Sequence, residues 1–255
     1  MNKHSRSRWL AVLSVLAMFS CAAHGADAVP ARSPRITGDV GLEWVSFHYK
    51  EPVGAEMRED GSMAGFTASC AYEFDEFLLR LGVSYDTGTI TYDGWVMDFE
   101  TGRPISAVRL QTPNDVFNIR LTGGPRFSTG KPGIEVVPIA GLGFRYLYND
   151  LPGVWGYTRE QVYWYIPLGV EMTADMGGGW KGIGRAEFDY FIQGENVSGG
   201  DRFTQDDGYG FHMSAGVSCP WPGRARLRVL VEPFFRYWNI KESSVSPSGF
   251  LEPDN

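Results

Sequence analysis

Residues 63–74 alternate: Ala64, Phe66, Ala68, Cys70, Tyr72 and Phe74 stand on one face, with Gly65, Thr67, Ser69 and Glu73 on the other. Successive side chains of an extended chain point to opposite sides, so such a run needs one apolar and one polar surrounding. After Asp75-Glu76 the pattern resumes, with Phe77, Leu79, Leu81, Val83 and Tyr85 against Arg80, Gly82, Ser84 and Asp86. Two such runs joined so tightly predict a hairpin.

Six further runs follow at 117–122, 134–146, 161–173, 185–193, 209–218 and 226–237. Near the start, Val40, Leu42 and Trp44 give way to Val45, Phe47 and Tyr49, which reads as a bulge in a first strand. That makes nine predicted strands. The links at Asp75-Glu76, Ser128–Pro132, Asp175–Gly179 and Pro220–Arg224 are short and turn-like. Those at about 50–62, 87–114, 149–159 and 194–208 are long and polar. Strict alternation of short and long links matches a membrane barrel with short periplasmic turns and long outer loops.

Aromatics supply a second line. Phe74, Phe77, Phe127, Trp180 and Trp221 fall beside the short links. Tyr49, Tyr85, Tyr146, Tyr148, Tyr163, Trp164, Tyr190, Tyr209, Tyr237 and Trp238 fall toward the long ones, as two interfacial belts would require. Mean hydropathy is only -0.20, but a barrel carries its membrane signal in every second residue. Away from the N-terminus no apolar run approaches the roughly 20 residues of a membrane helix.

Lys3, Arg6 and Arg8 precede an apolar stretch from Trp9 to Phe19, then small residues and an Ala26-Asp27-Ala28 cleavage candidate. This is the layout of a secretory signal peptide over residues 1–28, with a cut after Gly25 as an alternative. The rival lipoprotein reading through Cys21 has a bulky Phe19 where small residues are preferred. The chain has 23 Lys+Arg and 30 Asp+Glu; losing three and one of these leaves a net charge of -9, which argues against nucleic acid. Cys70 and Cys219 then remain, both on predicted lipid-facing positions.

Barrels of this kind have even strand numbers. The nine runs therefore imply a ten-stranded design with nine strands present in residues 36–255, the last supplied elsewhere or lost by truncation. The sequence also resembles a family of uncharacterised, loosely porin-like bacterial outer-membrane β-barrel proteins. The resemblance rests on Thr91–Gly94, Gly141–Leu147, Glu187–Phe191, Val231–Ile240 and Glu252–Asn255. It implies an all-β transmembrane antiparallel up-and-down barrel in a Gram-negative outer membrane, with one more strand after residue 255 and no catalytic residues.

The polar face is heavily ionised. Beside Glu73, the residues expected to line the lumen are Arg80, Arg120, Glu135, Arg145, Glu171, Arg185, Glu187, Asp189, His212, Arg226, Arg228, Glu232 and Arg236. Such charges either pair across a narrow interior or line a path for small solutes or ions. An enzyme is the rival class. An omptin-like protease needs an Asp–His couple, yet Asp206 and Asp207 precede His212 with Gly at position 210. A lipid A-modifying enzyme needs a His–Ser couple, which only geometry can reveal. Neither a metal cluster nor a cofactor motif stands out; Gly177–Gly179 reads as a turn.

Acidic residues at 51, 56, 59, 60, 98, 100, 195, 201, 206 and 207 suggest loops suited to cation-bridged contact with lipopolysaccharide, or to surface binding as an adhesin or receptor. The partners implied are outer-membrane lipid, lipopolysaccharide and the barrel assembly machinery. The sequence thus predicts a structural or narrow porin-like outer-membrane barrel.

Overall fold

The computed structural model describes residues 34–51, 57–74, 76–97, 104–153, 156–222 and 224–241. The expected signal peptide, Glu56, Asp98, Glu100 and the chain end from residue 242 lie outside them. The fold is all-β. Strands β1 (Arg35–Glu51), β2 (Met57–Phe74), β3 (Phe77–Met97) and β4 (Pro104–Pro125) are followed by the short β5 (Phe127–Ser128). Then come β6 (Ile134–Leu151), β7 (Tyr157–Gly177), β8 (Trp180–Ser198), the short β9 (Asp201–Gln205), β10 (Gly208–Trp221), β11 (Arg224–Val231) and β12 (Phe234–Ile240).

One antiparallel sheet runs in the order β1-β2-β3-β4-β6-β7-β8-β10-β11, with β12 also on β10. Every alternating run of the sequence lies in one of these strands, and the last is divided between β11 and β12. The division falls at Glu232-Pro233, where proline has no N–H to give the ladder. The Pro233 carbonyl still accepts from Ala215 N at 3.2 Å. The turn after β7 closes as expected. Gly177 pairs with Trp180, so Gly178-Gly179 is a two-residue hairpin loop. Their φ angles of 59° and 80° are those of a type I′ turn, which the right-handed twist of the strands favours.

The sheet is curled into a half-barrel. β1 and β7 are five ladder steps apart, about 24 Å on a flat sheet. Yet Arg159 on β7 reaches the Tyr49 hydroxyl on β1 at 3.3 Å. Likewise Arg80 on β3 meets Glu171 on β7, and Arg120 on β4 meets Glu187 on β8. Among the described residues no ladder joins β1 to β11 or β12. The open edge is visible in exposure: outward-facing Leu42 on β1 is 93% exposed, whereas Leu121 and Leu142 within the sheet are each 47% exposed.

Three expectations are corrected. β1 has no bulge, since its register with β2 runs from Arg35↔Glu73 to Glu51↔Met57 without a shift. What changes is the chemistry of the two faces. Below Trp44 the outward side chains are apolar; above it the inward Val45 and Phe47 pack on Met63, Ile90, Val116 and Leu147. Second, much of the predicted long loops is strand: β3 runs 21 residues and β4 runs 22. Third, the aromatic belt loses Tyr49, Tyr163 and Trp238. Tyr163 and Trp238 pack together inside with Phe191 and Ile240, and Tyr49 packs against Met57, Tyr92 and Leu151. Neighbouring residues of a strand cannot share a face, so Tyr163-Trp164 and Tyr237-Trp238 each divide between inside and outside.

Candidate functional site: the charged interior

The inward positions of consecutive strands stack ionised side chains in layers. Nearest the short turns, Arg126 donates to both oxygens of Glu135 at 2.9 and 2.7 Å and lies 3.1 Å from Glu73. Such a bidentate fork is the strongest pairing a guanidinium makes with a carboxylate. In the next layer Glu171 accepts from Arg80, with Nη2 to Oε1 at 3.0 Å, and from Arg185 at 2.6 Å. Arg185 also lies 3.4 Å from Glu187. Glu187 in turn is 3.1 Å from Arg120, whose Nη1 donates to His212 Nδ1 at 3.0 Å. One chain of charges therefore crosses from β3 through β7 and β8 to β4 and β10.

Above it, Asp189 is buried near Glu187, Arg120 and Arg236, with Oδ1 lacking a hydrogen-bond partner. Glu232 accepts from Ser214 Oγ at 2.5 Å. Arg236 stands beside His212 in the β10–β12 ladder and lies over the Phe234 ring at 5.4 Å. Arg145 is inward on β6 and half-buried, its Nε without an acceptor. Arg228 stands apart: it is exposed at the short-turn rim, donating to Ser218 and, at 2.7 Å, to the Gly179 carbonyl. Arg226 lies on β11, and its side chain falls outside the described residues.

The interior holds residues that sequence reasoning passed over. Glu59 accepts from Asn114 at 3.1 Å and from Asn149 at 3.3 Å, joining β2 to β4 and β6. Arg159, Gln161, Asn196 and Gln205 complete a buried layer at the same end. Apart from Gln161, which opens the 161–173 run, these positions lie in the stretches expected to be long links; the signal that finds them is strand parity carried past the last apolar residue. The acids of the long links are dispersed. Glu59 is inside, Glu195 pairs with Arg202 at 2.9 Å, and Asp207 pairs with Lys241 at 2.9 Å.

Exposure decides what the interior can do. Asn114, Asn149, Asn196 and Ile90 are 0% exposed, Asp189 is 1% and the Glu187 side chain 0%, so a water-sized sphere does not reach them. A water-filled conduit would leave its wall accessible. Among the described residues no interior hydroxyl is paired with a histidine: Ser214 donates to Glu232, while the His212 ring contacts Arg120 and Glu187. Asp207 is held by Lys241, so no Asp–His couple of the omptin kind forms with it. Comparison with protein-family models and with curated proteins found no match.

Proposed function

We propose that this chain is an integral outer-membrane β-barrel protein whose ion-paired interior is a structural filling and not an open conduit. The observation carrying the second half is the Arg80–Glu171–Arg185–Glu187–Arg120–His212 chain, whose carboxylates and imidazole are buried while its three arginines keep partial access to water, beneath a layer of Asp189, Asn114, Asn149 and Asn196 that water does not reach. Membrane embedding draws support from the outward face. On β1 the outward residues Ile36, Val40, Leu42 and Trp44 are apolar, and Ser46, His48 and Lys50 follow. On β2 Tyr72, Cys70, Phe66 and Ala64 give way to Ser62, Asp60 and Arg58 at the same level. From Ile36 to Trp44 the band spans about 27 Å along the strand, in the range that a tilted strand of about 9–11 residues needs to cross a membrane.

Within this reading the apolar band meets lipid, and the overhanging strand ends meet lipopolysaccharide. The barrel assembly machinery inserts the sheet, and a tenth strand seals β1 against β12. Unpaired backbone in hydrocarbon costs several kcal/mol per group, so open edges call for such closure. The test of the filling is electrical. The chain inserted into planar bilayers is expected to be silent, with no unitary steps. A steady, reproducible single-channel current would contradict the filled interior and favour a narrow charged pore for ions or small solutes.

A further inference from the structure

His48 is on the outside of the sheet, opposite in facing to His212. On β1, Ser46 and His48 share the outward face, and the ladder sets His48 directly beside Asp60 of β2. Ser46 Oγ lies 3.1 Å from His48 Nε2, and His48 Nδ1 lies 2.5 Å from Asp60 Oδ1. The order of atoms matters. A carboxylate on Nδ1 selects the tautomer with its proton there, which leaves the Nε2 lone pair facing the serine hydroxyl. That is the nucleophile–base–orienter relation by which a serine triad is recognised, whatever the fold. Arg58 also holds Asp60, with Nη2 donating to Oδ1 at 3.1 Å and Nε facing Oδ2.

The surroundings name a substrate class. Ser46 is the first polar outward residue of β1 beyond the apolar band, two residues or about 7 Å past the exposed Trp44. Aromatic rings of this kind sit at headgroup level, where the esters linking acyl chains to their headgroups lie. Two rows beyond Ser46, and one beyond His48, Arg58, Asp93, Trp95 and Arg109 bound a hollow of about 410 Å³. Arg58 is paired with Asp60, and Arg109 Nε lies 3.4 Å from Asp93 Oδ1, so a phosphate here would exchange with these carboxylates for the two guanidiniums.

We propose that Ser46, His48 and Asp60 form a surface triad that hydrolyses ester-linked acyl chains of phosphate-bearing amphiphiles drawn sideways from the outer leaflet. Ser46 Oγ attacks the ester carbonyl while His48 Nε2 takes its proton. The tetrahedral adduct expels the headgroup alcohol, which receives that proton. Water then attacks the acyl-serine with His48 again as base, releasing the fatty acid and restoring Ser46. The outer-leaflet placement rests on the membrane reading above; the triad itself does not.

The test uses the full-length folded chain with three arms: a fluorophosphonate probe with a soluble p-nitrophenyl ester, phosphatidylethanolamine vesicles, and lipopolysaccharide vesicles scored for free fatty acid. The expected result is probe on Ser46 and fatty acid from one or both vesicle types, which tells glycerol esters from lipid A esters. Both are lost in Ser46→Ala and His48→Ala, fall on the order of 10³–10⁴-fold in Asp60→Asn, and are retained in Ser128→Ala. Absence of labelling at Ser46 in chain that retains β-sheet circular dichroism overturns the triad. Fatty-acid release unchanged by Ser46→Ala does the same. Hydrolysis of the soluble ester with no release from either vesicle overturns the lipid assignment while leaving the nucleophile in place.

Discussion

At the scale of single residues, position along the chain matters less than parity. Glu171 and Arg185 were readable as interior because each sits in a clean alternating run. Their partners were not, since nothing local says that Glu171 meets Arg80 across the curled sheet, 91 residues away in sequence. Removing one member of a buried ionic group leaves its neighbours charged and unsolvated. Glu171→Ala is therefore expected to destabilise the fold by about 3–5 kcal/mol, read as a shifted urea midpoint. The same change at half-buried Glu195, which pairs with the exposed Arg202, is expected to cost under about 1 kcal/mol. Equal losses at the two sites would mean that the interior is wet. Arg126, Glu59 and Arg159 stayed invisible for a related reason. They lie where runs end, and the eye stops at the last apolar residue while the strand continues.

Elements show why the runs seemed to end. Along β3 the outward residues pass from Leu81, Val83 and Tyr85 to Thr87, Thr89, Thr91 and Asp93. Meanwhile the inward ones pass from Arg80, Ser84 and Asp86 to Ile90 and Tyr92. Alternation does not stop; it inverts, with the wet face now outside and the packed face inside. In β1 the inversion between Trp44 and Val45 imitates a bulge, and in β3 and β4 it imitates a loop. The nine runs and their antiparallel sequence were legible because nearest-neighbour pairing follows from short links. The inversion was not, because periodicity alone has no sign. One consequence is measurable on a single strand. Leu142→Arg, outward within the apolar band of β6, is expected to cost about 2–4 kcal/mol in vesicle folding. Asp150→Arg, outward beyond it on the same strand, should cost about 0–1 kcal/mol. A penalty that ignores position would remove the apolar band.

On the scale of the molecule, curl and filling belong together. Nine runs of strand form only part of a ring, yet inward side chains from β1 and β2 already touch those of β7. The packed interior fixes the curvature before any seam is closed. A narrow ring is what long arginines and glutamates can fill, so the same residues that shape the sheet also pack against one another inside it. The two faces of each strand are expected to meet lipid on one side and a packed, ion-paired interior on the other. Nitroxide scanning of Phe77–Asp86 in vesicles tests it directly, with Cys70 and Cys219 first replaced by serine. Oxygen access should peak at 77, 79, 81, 83 and 85 and fall at 78, 80, 82, 84 and 86. A flat profile, or outward sites more open to a water-soluble nickel chelate than to oxygen, would contradict the account.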